Sequence, residues 1–471
     1  SCSRHGEQLL LPLVIPVLLL GGDGIVAARH LTEQGCDAHI LYAIPPHDWQ
    51  GEAAIQRDIA ARIGLSSSVY EAGKPINWHE WDGIVDALLG TGASGPPREP
   101  YASLIREACA SGLPIVSVDM PSGLNADTGE TEEPCIRARV TVALGLMKRG
   151  LLLHPGAEMA GEVAVRPIGI PDAAVDQQQV RTFILDETLL AERFGLNIPL
   201  VRKADTHKGT YGHVLVAAGS KNMSGAGLLC AKAALRSGAG LVTWAVPDLL
   251  AMPLAGSLPE VMISGMADGG SGQWSAVDPQ ELIERTERKQ VMVLGPGMGR
   301  WSCDAAWLKR LWETVELPLV LDADALNMIA DSEEPLAAWP KRQQAAILTP
   351  HPGEMARLCG ISVQEVQRNR IELARQFAQQ HGVILVLKGA RTVVADPEGH
   401  VFVNTTGNPG MATGGSGDVL AGMIGGLLAQ GLDGTAAAAA GVYWHASAGD
   451  RAAAMRYSSA ALIAGDIIEA L

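Results

Sequence analysis

A chain of 471 residues exceeds one ordinary core, so two or three domains are expected. Apolar residues make up 47% and charged ones 18%, the profile of a tightly packed cytoplasmic α/β enzyme and not of a disordered chain. The formal net charge of −15, with no clustered basic run, argues against a nucleic-acid partner. An anionic ligand must then be held by main-chain donors and a few placed cations.

The seven cysteines (Cys2, Cys36, Cys109, Cys135, Cys230, Cys303, Cys359) are dispersed, without a C-x-x-C pair. They read as reduced thiols, and no zinc site is expected. The apolar run over residues 9–20 follows Arg4 and His5 as a signal-peptide core would, but it is too short to span a bilayer and contains two prolines. It leads straight into Gly21-Gly22-Asp23-Gly24, so a buried first strand is expected and no membrane partner.

The first half repeats strand, Gly- or Asp-bearing turn, helix. Helices are expected over 25–34, 52–63 and 104–110, and strands over 37–43, 83–89 and 115–118. The last two strands end in Gly90-Thr91-Gly92 and Asp119-Met120-Pro121-Ser122-Gly123. Alternating strands and helices imply a parallel sheet covered on both faces, with ligands at the carboxyl ends of its strands. Between about 167 and 203 the pattern loosens, and a linker is placed at 171–203 between domains at 1–170 and 204–471. A second cycle begins at 212–220 and continues through strands ending near 299, 326, 354 and 389. The fold class is therefore α/β, with two doubly wound, mostly parallel sheets.

Asn408 to Gly422 (NPGMATGGSGDVLAG) is the most informative stretch. Glycines at a helix start let main-chain N–H groups close around an anion, where the helix dipole also favours negative charge. Asp418 follows the last glycine; because a carboxylate repels phosphate, it suits a general acid or base. The alternative is a flexible loop whose Asp caps the helix.

Lys388-Gly389-Ala390-Arg391-Thr392 ends a strand with two cations and a hydroxyl, suited to nucleotide phosphates. His351-Pro352-Gly353-Glu354 sets an imidazole and a carboxylate at another strand end, where Glu354 suits ordering a magnesium-bound water. Of Asp322 and Asp324, one is expected to cap the following helix. Gly295 to Gly299 permits close main-chain approach, His207 could border the cleft, and His445 reads as a packed helical histidine.

These motifs carry a resemblance. HKGTYGHVLVAAGS, SGAGLVT, GPGMG, DADALN, TPHPGE, VLKGARTVV and GNPGMATGGSGDVLAG stand in the order and spacing of the NAD(P)H-hydrate dehydratases, across essentially all of residues 200–471. The resemblance implies a ribokinase-like fold and ADP-dependent dehydration of the S epimer of hydrated NADH or NADPH, with release of AMP and phosphate. It also implies that Lys388, Gly389, Ala390, Arg391, Thr392 and Gly417 hold ADP, that Ala226, Gly299, His351 and Asp418 bind the hydrate, and that Asp418 is the base. Mg2+ and K+ are the ions it suggests, and a homo-oligomer, tetramer or larger, is its implied assembly.

Over residues 21–170, GGDGIVAARHL, VDALLGTGASG and VDMPSGLNADTGE resemble the NAD(P)H-hydrate epimerases, which interconvert the R and S hydrates on a Rossmann-like domain. By position, Asp119 would handle the proton, Gly90, Thr91 and Gly92 would face substrate, and Asp86 and Ser122 would hold potassium. Members of that family carry two asparagines just before GGDG; this chain has Leu19 and Leu20 there, and its N-terminus reads as truncated or replaced. Leucine neither ligates potassium nor donates to phosphate, which sets epimerase activity against a degenerate nucleotide-binding or structural module. For the second half the rival is a small-alcohol kinase, since a GGSGD loop serves both chemistries.

Overall fold

The computed structural model describes residues 14–19 and 22–471, and the chain divides into two compact units between Gln179 and Val180. Among the described residues no helix is long and apolar enough to cross a membrane.

The first unit holds seven strands: β1 (Val14–Leu19), β2 (Asp37–Tyr42), β3 (Ser66–Val69), β4 (Ile84–Ala87), β5 (Ile115–Val118), β6 (Val140–Leu144) and β7 (Glu162–Arg166). Their order is β3-β2-β1-β4-β5-β6-β7, parallel throughout. The apolar run near the start thus supplies an interior strand, flanked by β2 and β4. Pro16 precedes the stretch Val17 to Leu19 that pairs with β4, so its missing N–H breaks no ladder bond on that side. The strand order reverses between β1 and β4, which opens a crevice at their carboxyl ends.

The expected GGDG turn is absorbed into the helix Gly22–Glu33, with Gly24 buried inside it. Gly21, Leu20 and the side chain of Leu19 lie outside the described residues, as do residues 1–13.

The second unit starts earlier than the sequence suggested. Residues 180–203, placed in a linker, supply β8 (Thr182–Leu185) and the helix Glu187–Phe194, whose first turn is capped by Asp186 accepting from the Leu189 N–H at 2.8 Å. Leu185 and Leu190 bury completely, which ties this segment to the second core. The proline-marked stretch before it concealed the strand.

The other strands are β9 (His213–Ala217), β10 (Leu241–Pro247), β11 (Met262–Met266), β12 (Val291–Leu294), β13 (Leu319–Leu321), β14 (Ala346–Leu348), β15 (Ile384–Leu387), β16 (Val393–Ala395) and β17 (Val401–Asn404). The ten-stranded order is β11-β10-β9-β12-β13-β14-β15-β16-β17-β8. From β11 to β15 the strands run parallel; β16 runs antiparallel to both neighbours, and β8 parallel to β17.

Beneath the site, every residue from Val419 to Ala429 of the helix Ser416–Ala429 is buried. A side chain at Gly422 would meet the Cys230 carbonyl at 2.1 Å, and one at Gly426 the Ser237 hydroxyl at 2.1 Å. The glycine- and alanine-rich composition thus lets this helix lie against the helix Ser224–Arg236, fixing where the glycine run points.

Candidate active sites

In the second unit, β13, β14 and β15 end side by side, and each ending delivers charged or polar side chains. Lys388, after β15, places Nζ 2.6 Å from Oδ1 of Asp322, after β13, and 3.9 Å from Oε2 of Glu354, after β14. Thr349 donates its hydroxyl to the same Asp322 oxygen at 2.8 Å. Burial alone would lower the Lys388 ammonium, but the Asp322 and Glu354 carboxylates outweigh it and hold the group above its usual value.

The glycine run arrives from the helix side. Gly415 takes a left-handed φ of 90° as the residue before the helix Ser416–Ala429, opening the main-chain N–H groups of its first turn. A side chain on Gly417 would begin 3.1 Å from Lys388 Nζ and 3.7 Å from Asp322 Oδ2, so the nucleotide-site glycine and lysine expected from sequence are neighbours. Asp418 stands in the first turn, where burial first, and then the Asp322 carboxylate, push its pKa up to about 7. Burial likewise pushes Glu354 up to about 7. A carboxylate poised near neutrality suits proton transfer better than a simple helix cap does. The residue at the cap position is Gly415, not Asp418, and it makes no side-chain cap.

His351 combines both readings of HPGE. Its Nδ1 accepts from the N–H groups of Gly353 (3.0 Å) and Glu354 (3.2 Å), while Glu354 Oε2 accepts from the His351 N–H at 2.8 Å. This reciprocal cap starts the helix Pro352–Cys359 and fixes Glu354 beside Lys388. Burial and the Lys388 charge hold the imidazole below its usual pKa, so it is neutral near pH 7.

Neither Asp322 nor Asp324 caps the helix Asp324–Ala330, contrary to expectation. Asp322 is drawn to Lys388, and Asp324 accepts from the Gly299 N–H at 2.8 Å, tying the GPGMG loop to the cleft. Ala323, between them, takes φ 52°, a strained geometry for a residue with a Cβ. Ala226 borders the same loop, since a side chain on Gly297 would lie 2.8 Å from its Cβ.

In the 388–392 loop, Arg391 turns one guanidinium nitrogen to the Thr405 carbonyl (2.9 Å), Thr392 donates to the Gly389 carbonyl (3.1 Å), and Ala390 is exposed. His445 is buried as expected, with Nε2 3.5 Å from the Ser416 hydroxyl, and burial pushes it down to about 4. His207 only caps its own short turn, through the Gly209 N–H.

Two contributors escaped the sequence reading. Asp450 accepts from the Gly407 N–H (2.8 Å) and the Asn408 amide (2.9 Å), anchoring the entrance to the glycine run. Arg370 grips the main chain around Lys388. Neither lies in a motif, and no periodic signal marks them.

In the first unit, Asp119 follows β5 with φ 66°, a conformation that costs a residue with a Cβ. Its Oδ1 accepts from the Leu144 N–H at 3.0 Å and pairs closely with Lys148 Nζ, which also donates to the Leu144 carbonyl at 2.7 Å. Lys148 was not anticipated; the LMKRG segment carries no motif read from sequence. Gly90 and Gly95 line a cavity with Pro121, Gly123 and Glu132, while Thr91 and Gly92 are exposed.

The expected potassium pair is closed instead. Asp86 is fully buried; Oδ1 accepts from Ser122 Oγ (2.6 Å) and the Leu88 N–H (3.3 Å), Oδ2 from Ser117 Oγ (2.8 Å) and the Ser122 N–H (2.9 Å). Ser122 Oγ in turn accepts from the Leu89 N–H at 2.9 Å. Both carboxylate oxygens are saturated by protein donors, so these residues do not fit a cation, and no step is drawn through potassium.

This mostly parallel sheet, whose strand ends meet a glycine-led helix start, has a ribokinase-like fold and follows a Rossmann-like unit in the chain. Comparison with known proteins narrows this class. A family model described as NAD(P)H-hydrate dehydratase matches residues 214–471, and one described as YjeF-related protein N-terminus matches residues 20–150. The bifunctional NAD(P)H-hydrate repair enzyme Nnr of Moorella thermoacetica is 41% identical over 458 residues, covering 96% of this chain and 84% of that one. Its namesake in Escherichia coli K12 is 35% identical, covering 96% and 82%. Among solved structures, an ADP/ATP-dependent NAD(P)H-hydrate dehydratase from Bacillus subtilis, co-crystallised with ATP and Mg2+, is 31% identical, with a TM-score of 0.51 over 61% of this chain and 95% of that one. A ribokinase-like superfamily protein from Enterococcus faecalis V583 is 29% identical, with a TM-score of 0.52 over 62% and 94%. The chain belongs to the family of bifunctional NAD(P)H-hydrate repair enzymes. The small-alcohol kinase reading is not favoured.

Proposed function

We propose that the second unit dehydrates the S hydrate of NADH or NADPH at the expense of ADP, with Asp418 as general base. In this reading ADP lies along residues 388–392 and Gly417, and the hydrate along Ala226, Gly299 and His351. Asp418 takes the proton of the C6 hydroxyl as its oxygen attacks the terminal phosphoryl group, and AMP leaves. The main-chain N–H groups of residues 415–417 neutralise the charge that develops. Phosphate then departs, assisted by the ring nitrogen's lone pair, and loss of a proton from C5 to solvent restores the C5=C6 double bond of the dihydronicotinamide. Phosphorylation matters because hydroxide leaves poorly at neutral pH. The observation that supports this most is Asp418 in the helix's first turn, pushed up to about 7 by burial and the Asp322 carboxylate.

Magnesium fits the site as a phosphate-held ion. Among the described residues no cluster of His, Cys, Asp and Glu is arranged to hold a metal by itself, and Glu354, beside Lys388, would supply a hard oxygen to order a magnesium-bound water. When bound, the ion neutralises phosphate charge.

For the first unit, the Asp119–Lys148 pair at the end of β5 supports epimerisation of the R and S hydrates. Asp119 exchanges the proton during ring opening and reclosure, and Lys148, which also donates to the Leu144 carbonyl, fixes where its carboxylate sits. The enzyme would act as a homo-oligomer in the cytoplasm.

Incubation of the protein with the S hydrate of NADH and ADP tests the dehydratase. The reading requires the absorbance of the reduced nicotinamide to rise with one AMP released per turnover; no rise would refute it.

A further inference from the structure

Arg370 opens the helix Arg370–His381 and is only 6% exposed. Its Nη2 lies 2.9 Å from the Leu387 carbonyl, 3.0 Å from that of Lys388 and 3.1 Å from that of Arg391. Two protons serve three acceptors, so at least one is shared. Nη1 donates to the Gln367 side-chain carbonyl at 2.7 Å, while Nε is buried without a partner in the structure. All four acceptors are neutral, and no carboxylate is among them. Burial accordingly lowers the guanidinium to about 10.

A buried cation without a counter-charge is costly, and a neutral donor could brace a turn at less expense. What this arrangement adds is a positive charge beneath the main chain of a loop that offers itself to phosphates, gripping that loop at both ends. Gly389 sits at the point of contact: a side chain there would begin 2.8 Å from Nη2. The loop's glycine is thus required by Arg370 as well as by any ligand.

We propose that Arg370 is a positioning residue for the nucleotide: it locks residues 387–391 into the ADP-receiving shape, and its charge finds its counterpart only when the nucleotide phosphates arrive. This rests on the reading that residues 388–392 hold ADP. A merely structural brace would, when removed, weaken the site for both substrates or lower the yield of folded protein. A positioning residue for one substrate moves the constants for that substrate alone.

The experiment compares Arg370→Met and Arg370→Lys in the full chain, with KM for ADP, KM for the hydrate and kcat measured separately. Losing charged hydrogen bonds should raise KM for ADP about tenfold or more in Arg370→Met and less in Arg370→Lys. KM for the hydrate and kcat at saturating ADP should stay within about twofold of the unmodified enzyme. If Arg370→Met does not fold, Gly389→Ala presses on the same contact from the loop side and should raise KM for ADP selectively. Equal rises in both KM values, a loss confined to kcat, or no change would overturn the proposal. Thr392→Val separates the two levels. If it leaves KM for ADP unchanged, the loop does not hold the nucleotide and both readings fall. If it raises KM for ADP while the Arg370 variants do not, only the role of Arg370 falls.

Discussion

Lys388 Nζ and Asp322 Oδ1 stand 2.6 Å apart at the ends of two parallel strands, with a third strand between them in the sheet. That pair organises the cleft. Asp322 is 1% exposed, and Lys388 is its charged partner, while the Glu354 and Asp418 carboxylates also raise the Lys388 pKa.

Removing the cation should therefore cost stability as well as activity. Lys388→Met leaves buried carboxylates without a counter-charge, a change worth about 3–5 kcal/mol. Adding Asp322→Asn should recover about 0.5–3 kcal/mol of that loss, as residues in direct contact are coupled. Denaturant unfolding of both single variants and the double variant measures the coupling; strict additivity would contradict the pairing.

The raised carboxylates fix a pH dependence. Asp418 goes from 3.8 to about 7 and Glu354 from 4.5 to about 7 on folding. Between these limits the folded protein holds protons on these two carboxyls that the unfolded chain has released, so their contribution to the stability of the nucleotide-free protein falls as pH rises from about 4 to about 7, while the buried His445, pushed down to about 4, contributes in the opposite sense. Because Asp418→Asn removes one of these carboxyls, the Tm of the variant relative to the unmodified protein, without nucleotide, should rise between pH 5.5 and pH 8. Each kcal/mol relieved should appear as about 2–4 °C in Tm, taken at the scale of larger domains. A Tm difference between variant and unmodified protein that stays constant over this range would contradict the burial of Asp418.

How much of this is legible in the sequence differs between local patterns and contacts made between distant stretches of the chain. The glycine run, the strand-end lysine and HPGE are local patterns with a physical reason, and the fold brings them together where such patterns lead. Asp322 was misread because DADAL looks like a helix cap; only the sheet order shows that Lys388, 66 positions away, would claim it. Arg370 and Asp450 bond to main-chain atoms distant in sequence, and such bonds leave no trace in composition or spacing. The strand at Thr182–Leu185 was hidden because its partner, β17, follows it by more than two hundred residues.

In the first unit, Asp86 is a structural anchor. Asp86→Asn replaces an oxygen that accepts two donors with an NH2 group facing those donors, at about 1–3 kcal/mol for each donor left unpaired. Thermal unfolding of this variant should show a lower Tm. If its stability is unchanged and only potassium dependence is lost, the closed cluster is wrong.

Asp119→Asn should separate folding from chemistry. Asn tolerates the left-handed backbone that residue 119 adopts, so the unit should stay folded. The variant should lose catalysed epimerisation, about 100-fold or more toward the spontaneous rate, as removal of a proton-transfer group does. A chirally resolved assay on the R hydrate reads this directly, and retained catalysis would remove Asp119 from the mechanism.

The central claim, that Asp418 is the base of dehydration, is tested most directly by Asp418→Asn assayed with the S hydrate and ADP. The prediction is a fall in kcat of about 10²- to 10⁴-fold, with ADP affinity, read by calorimetry on the same protein, within about threefold of the unmodified enzyme. Turnover retained within tenfold would contradict the account, as would ADP binding lost together with activity.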